Sequence, residues 1–184
     1  MIETVVKSIR FNRITNNRVV LLKETSGERY LPIWIGEFEA HAIAMELQGV
    51  ESPRPLPYDL MRSMLTQLGG SVEHVLINEL SMDVFYARIV ITLNSQTVEL
   101  DSRPSDAIAL AVRSGSTIFV DESVMDRAGV NLDDDDSPLE VERSTPSAQS
   151  EQRSEQRPDD EKLSIFRDFI NTLDSDELDR GRGD

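Results

Sequence analysis

Asp101, Arg103, Ser105 and Asp106 stand within six residues of one another, in the segment DSRPSDAIALAVR at 101–113. Pro104 fits the first position of a helix, where no backbone N–H is needed. Arg103 then becomes the N-cap, because the residue before a proline avoids the helical region. Asp106 falls at the third helical position, where a carboxylate can accept exposed N–H groups and complement the helix dipole, worth about 0.3–1 kcal/mol. Helix-start physics thus accounts for Pro104, Ser105 and most of Asp106. It leaves Asp101 and Arg103 over, and an arginine at a helix N-terminus is a ready anion site.

Three other groupings carry acids or bases. Glu37 and His41 are four apart and share a helix face, a spacing that could hold a divalent metal but more often marks a solvated surface. Arg54 and Asp59 flank the proline-stiffened RPLPYDL, where Asp59 reads as a helix-start acid with Tyr58 packing beside it. Glu79 and Asp83 read as a polar hairpin turn. The remaining histidine, His74, lies mid-strand and reads as structural. No GxSxG, HExxH, P-loop or GxGxxG occurs. What is left, carboxylates with arginines, is the equipment of phosphodiester hydrolysis, in which acids hold Mg²⁺ or Mn²⁺ and an arginine steadies phosphate. It is also the make-up of a well-capped surface.

The elements that must position these residues follow from the hydrophobic pattern. IETVVKSIRF, RVVLLKE and RYLPIWI read as three strands of an antiparallel meander, with Pro32 pointing to an edge or a bulge in the third. GEFEAHAIAMELQG reads as an amphipathic helix carrying Phe38, Ala42 and Met45 on one stripe, with Ile43 and Leu47 beside it. After three prolines, YDLMRSMLTQLGG gives a second helix. Two long strands and QTVELD follow, then the helix opened by Pro104, the short strand TIFVD and a closing helical turn. The order β-β-β-α-α-β-β-β-α-β predicts an α+β domain, a mainly antiparallel sheet packed with about three helices, over residues 1–130.

Charge divides the chain differently. The net charge is −15, of which residues 1–130 carry −5 (12 Lys/Arg against 17 Asp/Glu) and residues 131–184 carry −10 (7 against 17). Residues 131–160 have almost no large apolar side chains and read as a disordered acidic linker. Leu163, Phe166, Ile170 and Leu173 restore a helical spacing, so 161–178 reads as an amphipathic tail helix with a docking partner. No basic stripe attracts nucleic acid through bulk charge. The absence of cysteine suits a reducing compartment. With no leader-like start and no apolar run of about 20 residues, the expectation is a cytoplasmic protein without a membrane segment.

In order and spacing, LPIWIGEFEAHAIAMELQG, RPLPYDLM and LDSRPSDAIALAVR resemble the bifunctional nuclease family, a small bacterial and plant domain acting on DNA and RNA. The family pattern falls on Gly36, Glu37, Glu39 and Ala40, on Arg54, Pro55, Asp59 and Leu60, and on Asp101, Arg103, Pro104, Ser105, Asp106 and Ala107. Where the family usually has Thr-His before the second aspartate, this chain has Pro57-Tyr58. The resemblance implies an α+β fold, a homodimer, divalent cations and a DNA or RNA substrate. A nuclease reading, in which the acids and arginines at the element starts are brought together, places catalysis on Glu37, Asp59, Asp101, Arg103 and Asp106, with Glu37, Asp59, Asp101 and Asp106 as ligands for Mg or Mn and Arg54, Arg103 and Ser105 on phosphate. No organic cofactor is expected. The competing reading is a non-catalytic dimeric regulatory or interaction module that uses the tail helix as its partner element.

Overall fold

Runs rich in Val, Ile and Leu set up the first sheet segment of this computed structural model, which describes residues 1–12 and 17–131. The expected linker and tail helix lie outside the described residues. β1 (Ile2–Asn12), β2 (Asn17–Glu24) and β3 (Arg29–Ile35) are consecutive antiparallel neighbours, as the meander requires. Pro32 pairs with Leu21 on one side, while the strand beyond β3 reaches only Arg29 and Tyr30. The missing proline N–H therefore costs no ladder bond.

Helices α1 (Glu37–Leu47) and α2 (Pro57–Gln67) come next. The hairpin of β4 (Gly70–Ser81) and β5 (Val84–Leu93) follows, and then β6 (Gln96–Ser102). Both hairpin turns are two residues long, Met82-Asp83 and Asn94-Ser95, with all four residues at positive φ. That backbone matches the twist of the flanking strands. Glu79 is therefore not a turn residue: β4 runs two residues past it, and it sits opposite Tyr86.

From edge strand β6 the chain returns through α3 (Pro104–Ser114) to the four-residue strand β7 (Thr117–Val120). β7 slots between β4 and β1, giving the order β6-β5-β4-β7-β1-β2-β3-β8, and β4·β7 is the parallel pair. The closing turn is a seven-residue helix, α4 (Glu122–Ala128), capped by the Asp121 side chain and followed by the two-residue β8 (Val130–Asn131).

This crossover lays α3 over the sheet. Ala107, Ile108, Ala109 and Ala111 are fully buried there, in a core shared with Ile43 of α1, Tyr58 of α2 and the sheet residues Val75, Ile77 and Ile89. Such small side chains let α3 sit close to α1, and this changes which face of α1 goes down. Ala40, Ala42 and Ile43 are buried, whereas Phe38, expected on the buried stripe, is 85% exposed. The buried side of α1 is rotated toward its alanines because they fit the alanine surface of α3. No described helix is long and apolar enough to cross a membrane.

Candidate active site

The first turns of α1, α2 and α3 meet at one place. Arg103 is the N-cap of α3, with φ −71° and ψ 146°, and its carbonyl accepts the Asp106 and Ala107 N–H groups. Its side chain folds forward onto Asp106 in a fork: Nε donates to Oδ2 at 2.6 Å and Nη2 to Oδ1 at 3.0 Å. Nη2 also donates to Oε1 of Glu39, the third residue of α1, at 2.9 Å. From α2, the Tyr58 hydroxyl donates to Oδ1 of Asp106 at 2.8 Å. The Asp106 carboxylate thus binds neighbouring side chains instead of the helix N–H groups expected of it. Gly36 permits the arrangement, since a Cβ there would run into the Glu39 carboxylate.

The electrostatics fix each group's form. Burial pushes the Tyr58 phenol well above its ordinary range, and the Asp106 bond and charge add to this, so it stays a donor. Contact with Asp106, and then with Glu39, raises Arg103 further from deprotonation. The Arg103 side chain is nonetheless 66% exposed, against 26% for Asp106 and 16% for Glu39. The cation faces outward from two acids that orient it.

A second network lies deeper. Arg113, near the end of α3, is 4% exposed. Its Nε donates to Oδ1 of Asp59 at 2.7 Å and its Nη1 to the Ala42 carbonyl of α1 at 2.8 Å. Asp59 also accepts the Leu56 N–H at 2.8 Å, closing the start of α2. Burial pushes the Asp59 carboxyl up, but the Leu56 N–H and the Arg113 guanidinium outweigh it and leave it below the ordinary carboxylate range. The Tyr58 ring lies between the networks, 5.8 Å from the Arg113 guanidinium carbon, with its hydroxyl on Asp106.

The other expected residues lie apart. Glu37 is exposed and pairs with Arg18 of β2 at 3.0 Å. Asp101 is exposed on edge strand β6, in register with Arg88. Arg54 is exposed in the loop before α2. His41 is exposed on α1, and His74 packs edge-on against Phe119, 5.4 Å between ring centres. Ser105 is 7% exposed and borders a cavity of about 450 Å³ that also reaches Gly36, Trp34, Phe85 and Arg103.

Glu37, Asp59, Asp101 and Asp106 therefore do not form a metal cage. Among the described residues no three His, Cys, Asp or Glu side chains come close enough together to hold an ion. Glu37, Asp59 and Asp106 instead meet guanidinium groups, and Asp59 a backbone N–H as well. At the helix starts, Asp106 and Glu39 share the Arg103 guanidinium.

A family model for the bifunctional nuclease domain matches residues 20–133. The chain belongs to the bifunctional nuclease domain family. The match takes in all three helix starts and the cavity. An uncharacterised protein of Mycobacterium tuberculosis is 45% identical over 133 residues, covering 72% of this chain and 79% of that protein. The bifunctional nuclease of Oryza minuta is 28% identical over 149 residues, 79% of this chain. Bifunctional nuclease 2 of Oryza sativa subsp. japonica is 30% identical over 115 residues, 61% of this chain. The chain covers 44% and 35% of those two rice proteins.

Sequence reasoning about this bifunctional nuclease domain gave no site role to three residues that build the site: Glu39, Tyr58 and Arg113. One signal was present. Glu39, Asp59 and Asp106 each stand third in their helices, so three acids at equivalent positions pointed to three helix starts sharing one region.

Asp59 yields a pH test. A carboxyl whose folded pKa is lowered stabilises the fold above its unfolded pKa, about 3.9, and that contribution is lost as pH falls through the folded value. Asp59→Asn is expected to cost about 2 kcal/mol at neutral pH in urea unfolding. The gap to wild type should stay constant down to about pH 5 and close below pH 3.9.

Proposed function

We propose that this chain is a nuclease that hydrolyses phosphodiester bonds in DNA and RNA, with Arg103 as its phosphate-binding group. The carrying observation is the geometry of Arg103: charged, two-thirds exposed, at the N-terminus of an eleven-residue helix, and held in a fork by Asp106 with Glu39. A guanidinium fixed in advance loses little entropy on meeting a phosphate and stabilises the charge that develops in the transition state. Tyr58, standing where the family usually has histidine, holds Asp106 through its hydroxyl.

Dependence on Mg or Mn belongs to the same proposal. Such an ion supplies Lewis-acid activation of the phosphodiester and an activated water. Asp106, one of the four acids predicted from sequence, and Glu39 beside it are the acids that would hold it. A cytoplasmic location is part of the reading and accords with a chain free of cysteine.

The test is cleavage of single-stranded DNA and RNA by the purified full chain. Activity is expected with Mn²⁺ or Mg²⁺ and not with EDTA. Arg103→Gln is expected to lower kcat/KM about 100-fold, the scale for removing one transition-state donor. Cleavage that persists both in EDTA and in Arg103→Gln overturns the proposal.

One observation favours the homodimer that both readings expect. Leu60, Met61 and Met64 of α2, and Leu68 at its C-cap, expose 48–66% of their surface. Four large apolar side chains so placed form a patch of the kind that marks an interface. We place a homodimer contact there, a second copy matching the same patch about a two-fold axis. Sedimentation should give twice the monomer mass for wild type and a monomer for Leu60→Asp/Met64→Asp. A wild-type monomer at micromolar concentration contradicts the contact.

A further inference from the structure

We propose that the cavity beside Arg103 is a nucleobase pocket, so that the domain takes nucleotides whose base is unpaired and turned out of its stack. This rests on Arg103 binding the adjoining phosphate. The cavity, about 450 Å³, falls within the 300–1,000 Å³ range of small-molecule sites. Its walls come from three parts of the fold: Trp34 at the end of β3, Val84 and Phe85 after the β4–β5 turn, and Ser105 in the first turn of α3. Trp34 and Phe85 are aromatic, and stacking on such a ring contributes in proportion to π-face area, whatever the base. The pocket thus suits DNA and RNA equally.

Ser105 adds a polar group to the wall: the residue is 93% buried and borders the cavity. A serine hydroxyl both donates and accepts, and a base edge supplies donors and acceptors. The charges set the direction of binding. Asp83 stands on the hairpin side and Arg103 on the α3 side, so the phosphate lies toward Arg103 and the base toward Trp34 and Phe85. Duplex nucleic acid keeps its bases stacked and paired, and would have to extrude one to fill this space.

The chain has a single tryptophan, so its fluorescence reports Trp34 alone. The full-length protein is titrated with adenosine, 5′-AMP and ribose 5-phosphate. Adenosine and AMP are expected to quench saturably, AMP the more tightly, and ribose 5-phosphate to leave the emission nearly unchanged. Arg103→Gln should remove the preference for AMP over adenosine. Ser105→Ala, a smaller side chain at a tight site, should weaken adenosine about fivefold, the loss of one neutral hydrogen bond. No saturable quenching by adenosine, or equal quenching by ribose 5-phosphate, overturns the pocket even if the protein cleaves nucleic acid. Quenching by adenosine and AMP in a protein that cleaves nothing supports the pocket and removes the nuclease reading instead.

Discussion

A guanidinium buried at the end of α3 is the constraint on which the three-helix arrangement depends. Taking Arg113 out of water carries a penalty of several kcal/mol unless its charge and donors are met. They are met from two directions: the Asp59 carboxylate of α2 and the Ala42 carbonyl of α1. Arg62 of α2 returns the tie, donating to the Arg113 carbonyl at 2.6 Å. These bonds fix α1 and α2 against α3 at its C-terminal half. The alanine-lined packing above the sheet then leaves little freedom at the other end, where the three helix starts converge.

That convergence turns three ordinary helix beginnings into one site. Asp106 in isolation is a first-turn acid. With Tyr58 and Arg103 upon it, and Glu39 sharing the guanidinium, it becomes the centre of a network whose one well-exposed member is a cation. Tyr58 couples the layers, with its ring toward Arg113 and its hydroxyl on Asp106. The deep network fixes position, and the outer one presents a cation to solvent.

Much of the fold was legible because it is local. Runs of Val, Ile and Leu marked the three strands of the meander, and Pro104 marked the start of α3. The insertion of β7 between β4 and β1 was not legible, since four residues, TIFV, carry no record of their neighbours. The same distinction runs through the site. Arg103 and Asp106 are three residues apart, and a helix start could be read directly from them. Glu39 and Tyr58 reach them from 64 and 48 residues away in the chain. Glu37, the more prominent acid on α1, goes to Arg18 because α1 turns its alanines, not its Phe38 stripe, toward α3.

Family membership, the outward-facing Arg103 and the cavity beside it converge on a single claim: phosphate binds at the start of α3. A crystal structure of the protein with a short phosphorothioate oligonucleotide tests that claim most directly. The account predicts a backbone phosphate within hydrogen-bond distance of the Arg103 guanidinium. A phosphate seated instead on Arg54 or Arg88, with the start of α3 unoccupied, would contradict it.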